Sequence, residues 1–151
     1  MELASYITGF VDGEGCFTVS FNQRPSLKAK IEVRPSFSVS QNMRNVEIIR
    51  RIHKYFDCGS IRFSKRDQNY KFEVRSIADL KSQVIPHFEK YPLQSSKKND
   101  FQIFVQVCDL IYKNQHHQPN VLAGIIDQTY RMNPAGKRKY TKDNLLKLLA
   151  R

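Results

Sequence analysis

Two pairs of stretches in this chain alternate apolar and polar residues with a period of two, and no other feature restricts its folding as strongly. From Cys16 to Gln23, Phe17, Val19 and Phe21 point one way and Thr18, Ser20 and Asn22 the other. Arg24-Pro25-Ser26 breaks the run. From Lys28 to Gln41, Ala29, Ile31, Val33, Phe37 and Val39 share one face, while Lys28, Lys30, Glu32, Arg34, Ser36, Ser38 and Ser40 share the other. A second pair flanks Asp67-Gln68-Asn69, with Ile61, Phe63, Tyr70, Phe72 and Val74 inward and Arg62, Ser64, Arg66, Lys71, Glu73 and Arg75 outward. Alternation of this kind fits strands that bury one face only. The four stretches therefore predict one antiparallel sheet covered by helices on its apolar side. Pro35 predicts an edge position or a bend in the second strand.

Helical spacing fills the gaps. Leu3, Tyr6, Ile7 and Phe10 predict a helix from about Glu2 to Asp12, stopped by Gly13 and Gly15. Val46, Ile49, Ile52 and Phe56 predict a second from Asn45 to Phe56, ended at Asp57-Cys58-Gly59. Later helices are expected over 77–88, 97–113, 119–132 and 141–151. The fold class is α+β, in the order helix, hairpin, helix, hairpin, helices. At 151 residues a single domain is expected, with a core over about 4–113 and a helical extension over 114–151.

Charge narrows the partner. The chain carries 25 Lys and Arg against 14 Asp and Glu, a net +11. Such an excess favours a polyanion: DNA, RNA or an anionic membrane. The outward strand positions carry Lys, Arg, Glu, Asn, Ser and Thr, side chains that reach base edges and phosphates. A late basic stretch with Arg131, Lys137, Arg138, Lys139 and Lys142 is a further candidate for phosphate contact, or else a solvated basic linker. No run of apolar residues is long enough to span a bilayer, and the start of the chain lacks the pattern of a secretory signal. Cys16, Cys58 and Cys108 are odd in number and far apart, as expected of reduced thiols in an intracellular protein rather than a zinc site or disulfide framework.

The first helix ends in an unusual way. In Tyr6-Ile-Thr-Gly-Phe-Val-Asp-Gly-Glu-Gly15, Asp12 and Glu14 stand at the C-terminal end, where unpaired carbonyls already make the field negative. A hard divalent cation resolves that conflict, because Mg²⁺ takes carboxylate, carbonyl, water and phosphate oxygens. Glycines on either side would admit a nucleic-acid backbone.

This stretch, followed by helix–hairpin–helix–hairpin order to about Lys113, resembles the LAGLIDADG homing endonucleases. Thr8 stands in the usual alanine place, and Glu14 is the second acid where Asp is commoner. The resemblance implies that the motif helix pairs with a second copy of itself through Thr8 and Gly9, with Asp12 supporting that interface. It implies that Glu14, helped by the Gly13 carbonyl, holds Mg²⁺, with Mn²⁺ or Ca²⁺ able to replace it in binding. It also implies that Gln41 positions the attacking water and that a lysine, Lys97 or else Lys98, lies in the pocket. No organic cofactor and no membrane are expected.

Leu122-Ala-Gly-Ile-Ile-Asp127 resembles a second copy, but Gln128-Thr129-Tyr130 supplies neither a second acid nor a glycine end. It reads as an echo on a core helix. One motif means half a site and hence a homodimer on double-stranded DNA. A ten-residue strand spans about 33 Å, or about ten base pairs. The dimer would thus read about twenty pseudo-palindromic base pairs, with its sheet in the major groove. The resemblance implies cutting of both strands with staggered 3′ ends. The alternatives are a non-cutting binder of the same fold, such as an intron RNA maturase or transcription regulator, and an unrelated basic RNA-associated protein. Bacterial cytoplasm and organelle (chloroplast or mitochondrion) remain open as compartments.

Overall fold

A computed structural model describes residues 2–27, 29–133 and 138–150. The elements are α1 (Leu3–Glu14), β1 (Gly15–Gln23), β2 (Ile31–Asn42), a 3₁₀ turn (Met43–Asn45), α2 (Val46–Phe56), β3 (Ser60–Ser64) and β4 (Asn69–Val74). There follow α3 (Ile77–Asp79), a π turn (Leu80–Val84), α4 (Ile85–Lys90), α5 (Lys97–Tyr112), α6 (Pro119–Thr129) and α7 (Lys142–Ala150). The four strands form one sheet in the order β1-β2-β4-β3. Phe37 pairs with Val74 and Asn42 with Asn69 across β2 and β4, both antiparallel.

The chain divides into two compact units, residues 1–17 with 36–98, and residues 18–35 with 99–151. The first hairpin is much longer than the second, so its far half needs apolar cover of its own. Val19, Phe21, Ile31 and Val33 from that half are buried, as are Phe101, Phe104, Leu122, Ile125, Ile126 and Leu145 of the late helices. The other unit is built on aromatic rings. Phe37 lies 5.1 Å from Phe17, 5.6 Å from Phe56 and 5.5 Å from Phe88, centroid to centroid. Edge-to-face and stacked pairs of this kind add to the burial of large side chains.

Several expectations change. Gly13 does not stop α1, which runs to Glu14; one glycine costs a helix only about 1 kcal/mol. Gly15 does the terminating, with its N–H closing the last turn on the Val11 carbonyl. A Cβ there would sit 2.6 Å from Val11 Cγ1, so the exit into β1 has no room for a side chain. Pro35 lies on an interior strand rather than an edge. Its missing N–H costs no bond to β4, because that register begins at Phe37. Phe63 faces the apolar side of edge strand β3 yet is 42% exposed. Ser36 and Glu73, expected on the open face, are buried. The helix predicted over 77–88 widens into a π turn before Pro86, whose ring removes one helical hydrogen bond.

Candidate functional site

The end of α1 is held by a segment more than eighty residues away. Asp12 accepts from the Gln94 N–H at 2.8 Å, from the Ser95 N–H at 3.1 Å, and from the Ser95 hydroxyl. Ser95 Oγ in turn accepts the Lys97 N–H at 3.2 Å, at the start of α5. The ammonium of Lys97 donates to the Val11 carbonyl at 2.9 Å. Asp12 therefore closes orphan amides that precede α5, and Lys97 offsets the negative end of α1. Partial burial pushes the Asp12 carboxyl up, but the Ser95 hydroxyl, the two amides and Lys97 outweigh it and hold the group below its ordinary value. Lys98 is exposed and contributes only its backbone N–H, to the Ser95 carbonyl.

Much of the charge conflict read from the sequence is thus relieved inside the chain, and Glu14 is what remains. It is exposed, and among the described residues it makes no hydrogen bond or ion pair. Gly13 precedes it in the last helical turn, where carbonyls lack helical partners. A hard divalent cation fits these donors, a free carboxylate beside an unshielded carbonyl. Among the described residues no cluster of three or more His, Cys, Asp or Glu surrounds them.

The outer side of α1 is equally open. A Cβ built on Gly9 or Gly13 meets nothing within 4 Å. Both glycines are exposed, one helical turn apart, and among the described residues no packing requires them. A hollow of about 320 Å³ lies alongside, lined by Ser5, Thr8, Gly9, Asp12, Tyr91 and Gln94 among others. Thr8 itself is buried and turned inward. Its hydroxyl donates to the Tyr91 carbonyl at 2.8 Å and lies 3.0 Å from His87 Nε2. With its only proton used, Thr8 must accept from Nε2–H, which leaves Nδ1 to accept from Tyr55 Oη at 2.8 Å. Burial pushes His87 down to about 4, against the opposing pull of Glu2, so the ring is neutral. This relay was not legible in the sequence, since its partners are 79 and 32 residues apart.

Gln41 accepts from Asn45 Nδ2 at 3.2 Å on the strand that pairs with β4. Among the described residues no hydrogen bond joins it to Glu14 or Lys97. On the outer face, Thr18, Ser38, Ser40, Asn22 and Ser64 are half-buried, while Ser20, Arg24, Lys30, Arg34, Arg62, Arg66 and Arg75 are exposed. Glu32 is bracketed by Arg24 at 2.8 Å and Arg34 at 3.4 Å. Of the late basic residues, Lys139 is exposed. Arg138 is committed elsewhere: its guanidinium donates to the Thr129 and Met132 carbonyls at 2.9 and 2.5 Å and stacks on Tyr130 at 4.7 Å. It caps the end of α6, which a basic run in the sequence does not reveal. Arg131 and Lys142 both pair with Asp127, at 3.2 and 2.5 Å. Lys28 and Lys137 lie outside the described residues.

The profile of the LAGLIDADG endonuclease family matches residues 7–108. The chain is 34% identical over 130 residues to the "Probable intron-encoded endonuclease 2" of Neurospora crassa, covering 85% of this chain and 29% of that protein. It spans between a quarter and a half of the length of the first curated relatives it matches. Among solved structures, the homing endonuclease I-TnaI superposes with a TM-score of 0.84 at 29% identity, covering 97% of this chain and 95% of that one. The I-LtrWI LAGLIDADG homing endonuclease bound to target DNA superposes at 0.87 and 33% identity, covering 96% of this chain and 47% of that one. By the extent of these matches and the helix–hairpin order they share, the chain belongs to the LAGLIDADG endonuclease family.

Proposed function

We propose that this chain is one half of a metal-dependent, site-specific DNA endonuclease that works as a homodimer and cuts both strands of a long pseudo-palindromic target, leaving 3′ overhangs. The observation that carries the reading is the end of α1, where Asp12 and Lys97 complete the local structure and leave Glu14 exposed and, among the described residues, without a partner.

Glu14 and the Gly13 carbonyl are the donors for Mg²⁺, which when bound supplies an activated water and neutralises charge on the scissile phosphate. The remaining work belongs to side chains of the protein. Lys97, at the negative end of α1, keeps a positive charge where charge builds on the phosphate. Gln41, at the end of β2 opposite Tyr70, is the candidate for orienting water, and the Ser and Thr side chains of the outer face reach base edges. Arg and Lys residues of the same face contact phosphates, which fix register, and base edges, which carry sequence.

The homodimer rests on the empty outer side of α1, where Gly9 and Gly13 leave space for a second backbone.

The test is cleavage of a duplex that the protein selects from a randomised library, in Mg²⁺, compared with Glu14→Gln. The protein is expected to cut both strands and Glu14→Gln to bind without cutting. Tight binding with no cutting by the unaltered protein in any divalent metal would make the chain a binder instead.

A further inference from the structure

The outer face of the β3–β4 hairpin contains an acid that has no place on a surface selected for charge alone. Glu73 is 7% exposed, and four groups converge on it. On Oε1, Arg62 approaches to 2.6 Å and Arg75 to 3.2 Å. On Oε2, the Ser36 hydroxyl donates at 2.5 Å and Lys71 lies at 3.7 Å. An ionised carboxylate has about four lone-pair sites; Ser36, Arg62 and Arg75 take three, and Lys71 at 3.7 Å is an ion pair beyond hydrogen-bond reach. At 7% exposure Glu73 leaves little of itself open to a base. Burial pushes the carboxyl up, but Ser36 and the surrounding cations outweigh it, and Glu73 is held below its ordinary value.

The three cations stand in the opposite situation. Their side chains are 60%, 43% and 52% exposed for Arg62, Lys71 and Arg75, while that of Glu73 is 8% exposed. Arg62 pairs across the ladder with Lys71, and Lys71, Glu73 and Arg75 share one face at spacings of two. The acid thus lies beneath three open positive groups and ties them to β2 through Ser36. Three long side chains that would otherwise lose rotamer freedom on binding have partly lost it already.

We propose that Glu73 is a positioning residue for DNA recognition. It contacts no base, holds Arg62, Lys71 and Arg75 in one preset arrangement, and so raises discrimination between sequences at the expense of bulk electrostatic affinity. The inference rests on reading the outer face as the DNA face. Glu32, between Arg24 and Arg34, is a more open version of the arrangement, with two cations.

The test measures affinity for the selected duplex and for the same duplex scrambled, over a series of salt concentrations without Mg²⁺. Glu73→Gln removes one negative charge and the brace together. The selected-to-scrambled ratio is expected to fall about tenfold, and the salt slope to steepen by about one unit. Ser36→Ala keeps the charge and removes only the tie to β2, so the ratio should fall about threefold with the slope unchanged. An unchanged ratio in the folded variants overturns the proposal, whatever happens to absolute affinity. Should circular dichroism show Glu73→Gln unfolded, Ser36→Ala decides alone. If the unaltered protein enriches no sequence, the DNA reading falls and the brace with it. Enrichment with an unchanged ratio removes the brace only.

Discussion

α1 and α6 look alike as sequence and differ in what their ends do. Thr8-Gly9 followed by Asp12 in α1 is echoed by Ala123-Gly124 followed by Asp127 in α6. Both Gly9 and Gly124 have space for a Cβ, and each helix end has a cation on its carbonyls, Lys97 on Val11 and Arg138 on Thr129. The acids part company. Asp12 binds backbone amides and a hydroxyl, while Asp127 sits between the side chains of Lys142 and Arg131. Beyond Asp12 the chain places a free carboxylate and enters a strand without a loop. Beyond Asp127 comes Thr129, fully buried, and a turn that Arg138 closes. Likeness of letters finds the helix; the chemistry leaving its C-terminus decides whether it can hold a site.

The sharpest way to break this comparison is to neutralise one acid at each end. Glu14→Gln is expected to lower DNA cleavage on the order of 10³-fold or more while leaving binding intact. Asp127→Asn is expected to leave the cleavage rate unchanged and shift the melting temperature little, since its ion pairs are open to solvent. Equal losses in a side-by-side cleavage assay would mean that α6 carries chemistry too.

A smaller effect is expected where the helices are anchored. Thr8→Val keeps the shape of the side chain but strands the His87 Nε2–H and the Tyr91 carbonyl, at a cost of about 1–3 kcal/mol. Chemical denaturation measures it. A variant as stable as the parent would mean that the Thr8 hydrogen bonds do not anchor α1.

The smallest expected effect is on the pH profile. His87 titrates at about 4 when folded against 6.5 ordinarily. Between those values the unfolded chain takes up a proton that the folded chain does not, so stability falls as pH falls through that window. His116, also held low by burial and by His117, acts in the same direction. The informative quantity is therefore a difference: the loss of melting temperature from pH 6.5 to 4 should be shallower in His87→Gln. Parallel profiles would remove His87 from the account.

Alternation located all four strands and helical spacing located the helices, because both report which face of an element is apolar. Neither reports what covers that face. Phe63 has the right parity but sits on an edge strand and remains exposed. Glu73 has the parity of a solvent-facing reader, yet three cations close over it. The family resemblance made Asp12 an acid that supports the helix interface; the partners it has within the chain, Gln94 and Ser95, lie too far along the sequence for any local pattern. The division of the chain at Phe17 and Ser36 was equally hidden, since it follows from how far the first hairpin outreaches the second.

The central claim is that the outer side of α1 is empty because a second α1 belongs there. Gly9→Leu tests it most directly. Among the described residues, nothing outside the adjoining backbone of α1 lies within 4 Å of the Cβ this adds, and Leu favours a helix over Gly by up to about 1 kcal/mol. Sedimentation of the parent and the variant is the measurement. The account predicts a dimeric parent and a Gly9→Leu protein that keeps its fold by circular dichroism but sediments as a monomer. A variant that remains dimeric, or a parent that is monomeric while cutting both strands, contradicts it.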